Sequence, residues 1–307
     1  MTVDVAAPAW AHRHLIDVEG LTRAEIERIL DLAVTMREAR AARRDRSMLE
    51  AETVGLAFYE ASTRTRVSFE LAAKALGATT VDLSVAGSSV TKGESLVDTL
   101  RTLERTGVTM LVLRHSSAGA ASLGARTTGM HILNAGDGSH AHPTQALLDA
   151  LTLREALGSL EGRLLAIVGD VAHSRVARSN IHCVTALGGR VRVGGPPAWV
   201  EGFDAWPGVE VATTLEHAIR GADAVMALRV QLERGAQLDA HAAEWRMDDS
   251  RMDWAAPGAP ILHPGPTNEG VEITADLASG PRSLIGRQVE NGVPVRMAVL
   301  ALLAGTA

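Results

Sequence analysis

One cysteine stands in 307 residues, Cys183, so the chain can form no internal disulfide and no thiolate metal cluster. It sits in an apolar helical pattern, which predicts a buried structural thiol. Aromatic residues make up only 3% of a sequence that is 46% hydrophobic, so the core must be built from Ala, Leu and Val. Lysine is nearly absent: of 30 basic residues only Lys74 and Lys92 are lysines, which leaves 28 arginines. The net charge of −6 argues against nucleic acid or an acidic membrane as a general partner. The longest apolar run, Met297 to Ala304, is too short to span a bilayer, and the N-terminus carries no charged region followed by an apolar one. These features point to a cytoplasmic protein. Neither G-x-G-x-x-G nor G-x-x-x-x-G-K-[ST] occurs, so dinucleotide and P-loop nucleotide sites lack their usual signatures.

What is present is an alternation of short apolar runs and amphipathic segments. Strands are predicted over 54–59, 79–83, 108–113, 130–134, 163–168, 190–194, 209–212 and 223–228. Helices are predicted over 65–76, 94–105, 143–156, 175–187, 215–220 and 288–303, and Thr22 to Glu25 has the form of a capping box that opens an earlier one. Strands separated by helices imply parallel sheets covered on both faces, an α/β fold. The length suggests two domains of roughly 150 residues each. Pro143 suits the first position of a helix, and the alternation restarts at Leu164.

Ligands of such sheets bind beyond the carboxyl ends of the strands, and here arginine recurs at those ends. Arg64 and Arg66 follow the first predicted strand, within Ser62-Thr63-Arg64-Thr65-Arg66 at the start of a helix. Unpaired N–H groups and the helix dipole favour an anion at that place, although a plain N-cap serine beside solvated arginines accounts for the same letters. Arg114 and His115, Arg175 and Arg178, and Arg229 with Arg234 follow later strands. Guanidinium groups match phosphate and carboxylate bidentately and stay charged, so the set suits a substrate with several negative charges.

His142 before Pro143, with Gln145 one turn in, can hydrogen-bond a carbonyl oxygen and an amide nitrogen. His140 is a weaker candidate, and no convincing set of zinc ligands is visible. Lys92, in the polar stretch Ser88 to Ser95, supplies an ammonium that can reach where rigid arginines cannot. Ile261-Leu262-His263-Pro264-Gly265-Pro266 is an apolar strand end followed by a stiff turn whose carbonyls can accept from an amino group.

Taken together, these segments resemble the aspartate/ornithine carbamoyltransferase family over essentially the whole chain. Its phosphate loop matches Ser62 to Arg66, its mobile loop Ser88 to Glu94, and its carbamoyl-binding segment His142-Pro143-Thr144-Gln145. Two further segments, His173 to Asn180 and Arg229 to Arg234, resemble those that bind aspartate, while the Ser-Met-Gly and His-Cys-Leu-Pro segments expected of ornithine enzymes are absent. Glu269 stands where many relatives carry Arg, a change that either weakens a local ion pair or alters the outer rim of the site and leaves the pocket arginines intact.

The resemblance implies two α/β domains, each a parallel sheet flanked by helices, with a C-terminal helix packing back on the first. Residues 1–143 plus 287–307 would bind carbamoyl phosphate and 144–286 would bind aspartate. It implies carbamoyl transfer from carbamoyl phosphate to L-aspartate in pyrimidine biosynthesis, with no cofactor and no metal. By residue-wise carry-over, Ser62, Thr63, Arg64, Thr65, Ser88, Arg114, His142, Gln145, Gly265 and Pro266 hold carbamoyl phosphate. Arg64, Thr65, Lys92, Arg114 and His142 serve catalysis, and Lys92, Arg175, Arg229 and Gln231 bind aspartate. Glu60 would pair with Arg175 and Arg234 as the domains close. A homotrimer is implied, with Ser88 and Lys92 donated by a neighbouring subunit, and a regulatory chain or partner pathway enzyme stays open. Transfer to another amine such as ornithine, or a silent ligand-binding relative, are the competing expectations.

Overall fold

The computed structural model describes residues 10–42, 47–83, 94–230 and 242–306. Ser88, Lys92, Gln231 and Arg234 lie outside the described residues.

Helix α1 (Arg23–Ala41) begins with the predicted capping box, Thr22 and Glu25 each satisfying the other's backbone N–H. Strand β1 (Thr53–Phe58), helix α2 (Thr63–Ala75), β2 (Thr79–Leu83), α3 (Leu96–Arg105), β3 (Met110–His115), α4 (Ala120–Thr127) and β4 (His131–Asp137) follow. They build a parallel sheet in the order β2-β1-β3-β4. The interior of β1, Val54 to Ala57, is buried, as expected of a strand covered on both faces, whereas edge strand β2 carries Asp82 and is largely exposed.

Helix α5 (Pro143–Leu157) leads to the second sheet and is buried along every residue from Pro143 to Leu153. Next come β5 (Leu164–Val168), α6 (Arg175–Ala186), β6 (Arg190–Gly194), β7 (Val209–Ala212), α7 (Leu215–Ile219), β8 (Ala224–Ala227), α8 (Asp249–Met252), β9 (Ile261–Leu262), α9 (Ala275–Ser279) and α10 (Ile285–Leu303). The second sheet is also parallel, in the order β7-β6-β5-β8-β9. The closing helix α10 packs on α1, α2 and α5, so the end of the chain returns to the first unit as expected. A large core cluster runs from Leu15 and Ile29 through α5 and α10 to Ile167 and Val193, joining the two sheets through buried helices. Cys183 lies within it with no exposure, and burial raises its thiol pKa, as a structural thiol requires. Among the described residues, no helix is long and apolar enough to cross a membrane.

In each sheet the order in which the chain adds strands reverses once, while the strands stay parallel. In the first, β1 has β2 on one side and β3 on the other; in the second, β5 lies between β6 and β8. Such switch points leave a crevice at the strand ends, and the chain's arginines emerge there.

Candidate active site

The first crevice is lined by the segment after β1 and the end of β3. Ser62 occupies the N-cap position of α2 with φ −161°, yet its side chain makes no capping hydrogen bond. A serine that served only as a cap would give its oxygen to the N–H of the second or third helical residue. The hydroxyl is therefore left for another partner at the positive end of the helix. Thr63 and Arg64 beside it are exposed, while Thr65 is buried. Arg64 reaches the turn after β9: a Cβ on Gly265 would overlap its guanidinium, and Gly265 has φ +68°. Only glycine fits there, so the chain brings the end of the second sheet against the first phosphate-loop arginine.

Arg114, the last residue but one of β3, donates from Nη2 to Glu60 Oε1 at 2.8 Å and from Nη1 to the carbonyl of Ala135 at 3.3 Å. Across the crevice, Arg175 at the start of α6 is 3% exposed and grips the same carboxylate bidentately, at 2.6 and 3.1 Å. Its Nη1 also donates to the carbonyl of Gly138 at 3.1 Å. The guanidinium lies against Gly136, whose φ is +117° and where a Cβ would approach it to 2.9 Å. Asp137 anchors this turn by accepting from the backbone N–H of Gly119 and Ala141 and from the Asn134 amide. The expected Glu60–Arg175 pair is present, and Arg114 joins it. Arg229 stands just past β8, half-buried, beside the strand end that precedes Arg175.

His142 is the N-cap residue of α5 and is 4% exposed; its backbone N–H donates to Ser179 Oγ at 2.9 Å. The next turn holds Gln145, whose Nε2 donates to Asp149 Oδ1 at 2.9 Å. After β9, His263 Nδ1 accepts from the N–H of Gly265 at 2.9 Å, so its proton is on Nε2, which donates to Glu272 Oε1 at 3.1 Å. Pro266 and Glu269 are exposed.

Not every arginine after a strand belongs to the crevice. Arg66 turns to Asp82 at 3.1 Å, because residues two apart on a helix face opposite sides. Arg178 stacks on Phe203 and Trp206, at 5.3 and 5.5 Å from the ring centres. His140 is held by Asp137 at 3.1 Å.

Sequence reasoning passed over Asp149. It is fully buried and accepts from Gln145, from Asn180 Nδ2 at 2.9 Å and from Gln288 Nε2 at 2.7 Å. Burial raises its carboxyl pKa to about 6, against the pull of those donors and of nearby Arg296. Its signal was a lone acid inside the apolar run Ala146 to Leu151.

A family model described as "Aspartate/ornithine carbamoyltransferase, carbamoyl-P binding domain" matches residues 13–155, and its companion "Asp/Orn binding domain" matches 161–303. The "Aspartate carbamoyltransferase catalytic subunit" of Gluconobacter oxydans is 51% identical over 301 residues, covering 95% of this chain and 96% of that protein. Its namesake from Anaeromyxobacter sp. is 49% identical over 302 residues, covering 96% and 95%. Among solved structures, aspartate transcarbamoylase from Trypanosoma cruzi in complex with carbamoyl phosphate matches with TM-score 0.86 and 30% identity, covering 96% of this chain and 98% of that one. Ornithine carbamoyltransferase from Thermus thermophilus matches with TM-score 0.86 at 28% identity, covering 95% and 99%.

Proposed function

Because the chain belongs to the aspartate/ornithine carbamoyltransferase family, we propose that it transfers the carbamoyl group of carbamoyl phosphate to the amine of L-aspartate, releasing N-carbamoyl-L-aspartate and phosphate. The observation that carries the reading is the pair of crevices joined by Glu60: Ser62, Arg64 and Arg114 lie on one side, and Arg175 on the other. Likeness of fold does not separate the two acceptors, since ornithine enzymes superpose equally well. The Gluconobacter oxydans and Anaeromyxobacter relatives at about half identity, both aspartate enzymes by name, favour aspartate.

In this reading residues 1–143 with 287–307 bind carbamoyl phosphate. Ser62, Thr63, Arg64, Thr65 and Arg114 hold its phosphate, and the α2 N-terminus adds its dipole. Thr65, Arg114 and His142 face the carbamoyl oxygen. As the aspartate amine attacks the carbonyl carbon, that oxygen gains negative charge, and fixed donors there lower the barrier more than they stabilise the ground state. Gln145 and the Gly265-Pro266 carbonyls orient the carbamoyl NH2. Residues 144–286 bind aspartate: Arg175, Arg229 and Gln231 meet its two carboxylates, and Lys92 binds aspartate and serves catalysis. Collapse of the tetrahedral state expels phosphate into the arginines that held it. No enzyme-bound covalent intermediate and no cofactor enter the scheme; positioning and electrostatics supply the rate.

Glu60, with Arg234, holds the two units closed, and Ser88 and Lys92 come from a neighbouring subunit of a homotrimer in the cytoplasm. Incubation with carbamoyl phosphate and either L-aspartate or L-ornithine tests the reading. N-carbamoyl-L-aspartate is the expected product; carbamoylation of ornithine, with none of aspartate, overturns it.

A further inference from the structure

Asp149 is held away from solvent in the middle of α5, where its carboxylate accepts three carboxamide NH2 groups from three helices: Gln145 on α5, Asn180 on α6 and Gln288 on α10. Among the described residues it has no ion pair within 4.0 Å. A carboxylate can only accept, so each amide must turn its nitrogen inward and its oxygen outward. Gln288 shows the consequence directly, because its Oε1 accepts the backbone N–H of His263 at 3.0 Å. His263 in turn accepts the N–H of Gly265, the residue against which Arg64 lies. Gln145 is oriented by the same rule, with Nε2 on Asp149 and Oε1 on the opposite branch of its amide.

We propose that Asp149 is a positioning residue that fixes the polarity of Gln145 and of the Gly265 turn, so that both present acceptors to the carbamoyl NH2. This rests on the carbamoyl phosphate reading of the site. Gln145 and Gln288 share Oδ1 and Asn180 takes Oδ2, so an amide at position 149 sets its NH2 either against Asn180 alone or against Gln145 and Gln288 together. Asn180 Nδ2 also donates to the Val176 carbonyl and Gln288 Oε1 accepts from the His263 N–H, so Gln145 is the member that can flip, and a flipped Gln145 offers the carbamoyl group a donor where it needs an acceptor. The substrate NH2 and the Gln145 NH2 then oppose each other, an unsatisfied buried contact that discriminates strongly.

The test is a reciprocal pair of variants assayed with carbamoyl phosphate and L-aspartate. Asp149→Asn is expected to raise KM for carbamoyl phosphate roughly tenfold or more, with KM for aspartate changed less than about twofold, at an unaltered folded state by circular dichroism. Gln145→Glu sets two carboxylates face to face and is expected to be at least as impaired. In the double variant, which combines Gln145→Glu with Asp149→Asn, the two side chains have exchanged chemical roles. The carboxylate now at position 145 accepts from the carboxamide NH2 at position 149 with one oxygen and presents the other to the substrate. The double variant is therefore expected to exceed Gln145→Glu in kcat/KM for carbamoyl phosphate. If Asp149→Asn does not fold, the comparison of Gln145→Glu with the double variant still decides. A double variant no better than Gln145→Glu, or an Asp149→Asn enzyme with wild-type constants, overturns the proposal. A wild-type protein that turns over no carbamoyl phosphate sinks the functional reading itself, and this one with it.

Discussion

Two acidic side chains join the two halves of this molecule, and they are surrounded in opposite ways. Glu60 is partly exposed and sits between the guanidinium groups of Arg114 and Arg175, both charged donors at the mouths of strands. Asp149 is fully buried and takes its hydrogen bonds from neutral carboxamides on helices, with the Arg296 charge acting from farther off. The contrast teaches what each cluster can do. Ion pairs at a crevice can be exchanged for a ligand's phosphate or carboxylate, because another anion satisfies the same fork. A buried set of amides has no ligand to exchange with, and its value lies in fixing which atom of each amide faces outward.

Breaking the charged cluster gives the largest expected effect. Glu60→Gln leaves the nearly buried Arg175 without its carboxylate and loosens the link to Arg114. A loss of about 3 to 4 kcal/mol, roughly three-hundredfold in kcat/KM for aspartate, is expected in steady-state assays. A loss under about tenfold would mean that the pair is structural decoration at the crevice.

Burial shifts the response of Asp149 to pH. Its native carboxyl keeps its proton up to about pH 6, whereas the unfolded chain releases it near the ordinary value of 3.8. Between those values the native state binds more protons, so this group's contribution to stability falls as pH rises and is fully unfavourable above the upper value. The shift corresponds to about 3 kcal/mol. Denaturant unfolding of wild type and Asp149→Asn across that window should show the wild type losing about that much relative to the variant. Parallel stability curves would show that Asp149 does not titrate in the native state as its burial implies.

The smallest effect separates capping from binding at Ser62. Since its side chain makes no capping bond, Ser62→Ala should change the free energy of unfolding by less than about 0.5 kcal/mol, while KM for carbamoyl phosphate rises several-fold. A stability loss of about 1 kcal/mol with unchanged KM would restore the plain capping role.

Most of the scaffold was legible in the letters, for a physical reason. Parallel strands covered on both faces must be apolar runs, so β1, β5 and β8 stood out, and Pro143 marked the start of α5 where the ring is tolerated. Helix α4 escaped, because Ala120 to Thr127 is short and opens after a glycine in the left-handed region rather than a polar cap. At the site, position after a strand picked out Arg64, Arg114 and Arg175, yet it equally picked out Arg66 and Arg178. Only side-chain direction and the stacking surface of Phe203 and Trp206 separate those from the crevice. Asp149 was hidden for the opposite reason: its partners come from residues 145, 180 and 288, a convergence that no local pattern encodes.

The most direct test of the contrast is one set of steady-state constants for both substrates in Glu60→Gln and Asp149→Asn beside wild type. Glu60→Gln is expected to impair use of aspartate most, whereas Asp149→Asn raises KM for carbamoyl phosphate and leaves that for aspartate nearly unchanged. If the two variants lose the two substrates in the same proportion, the clusters do one job between them and the division between an exchangeable and a fixed cluster is wrong.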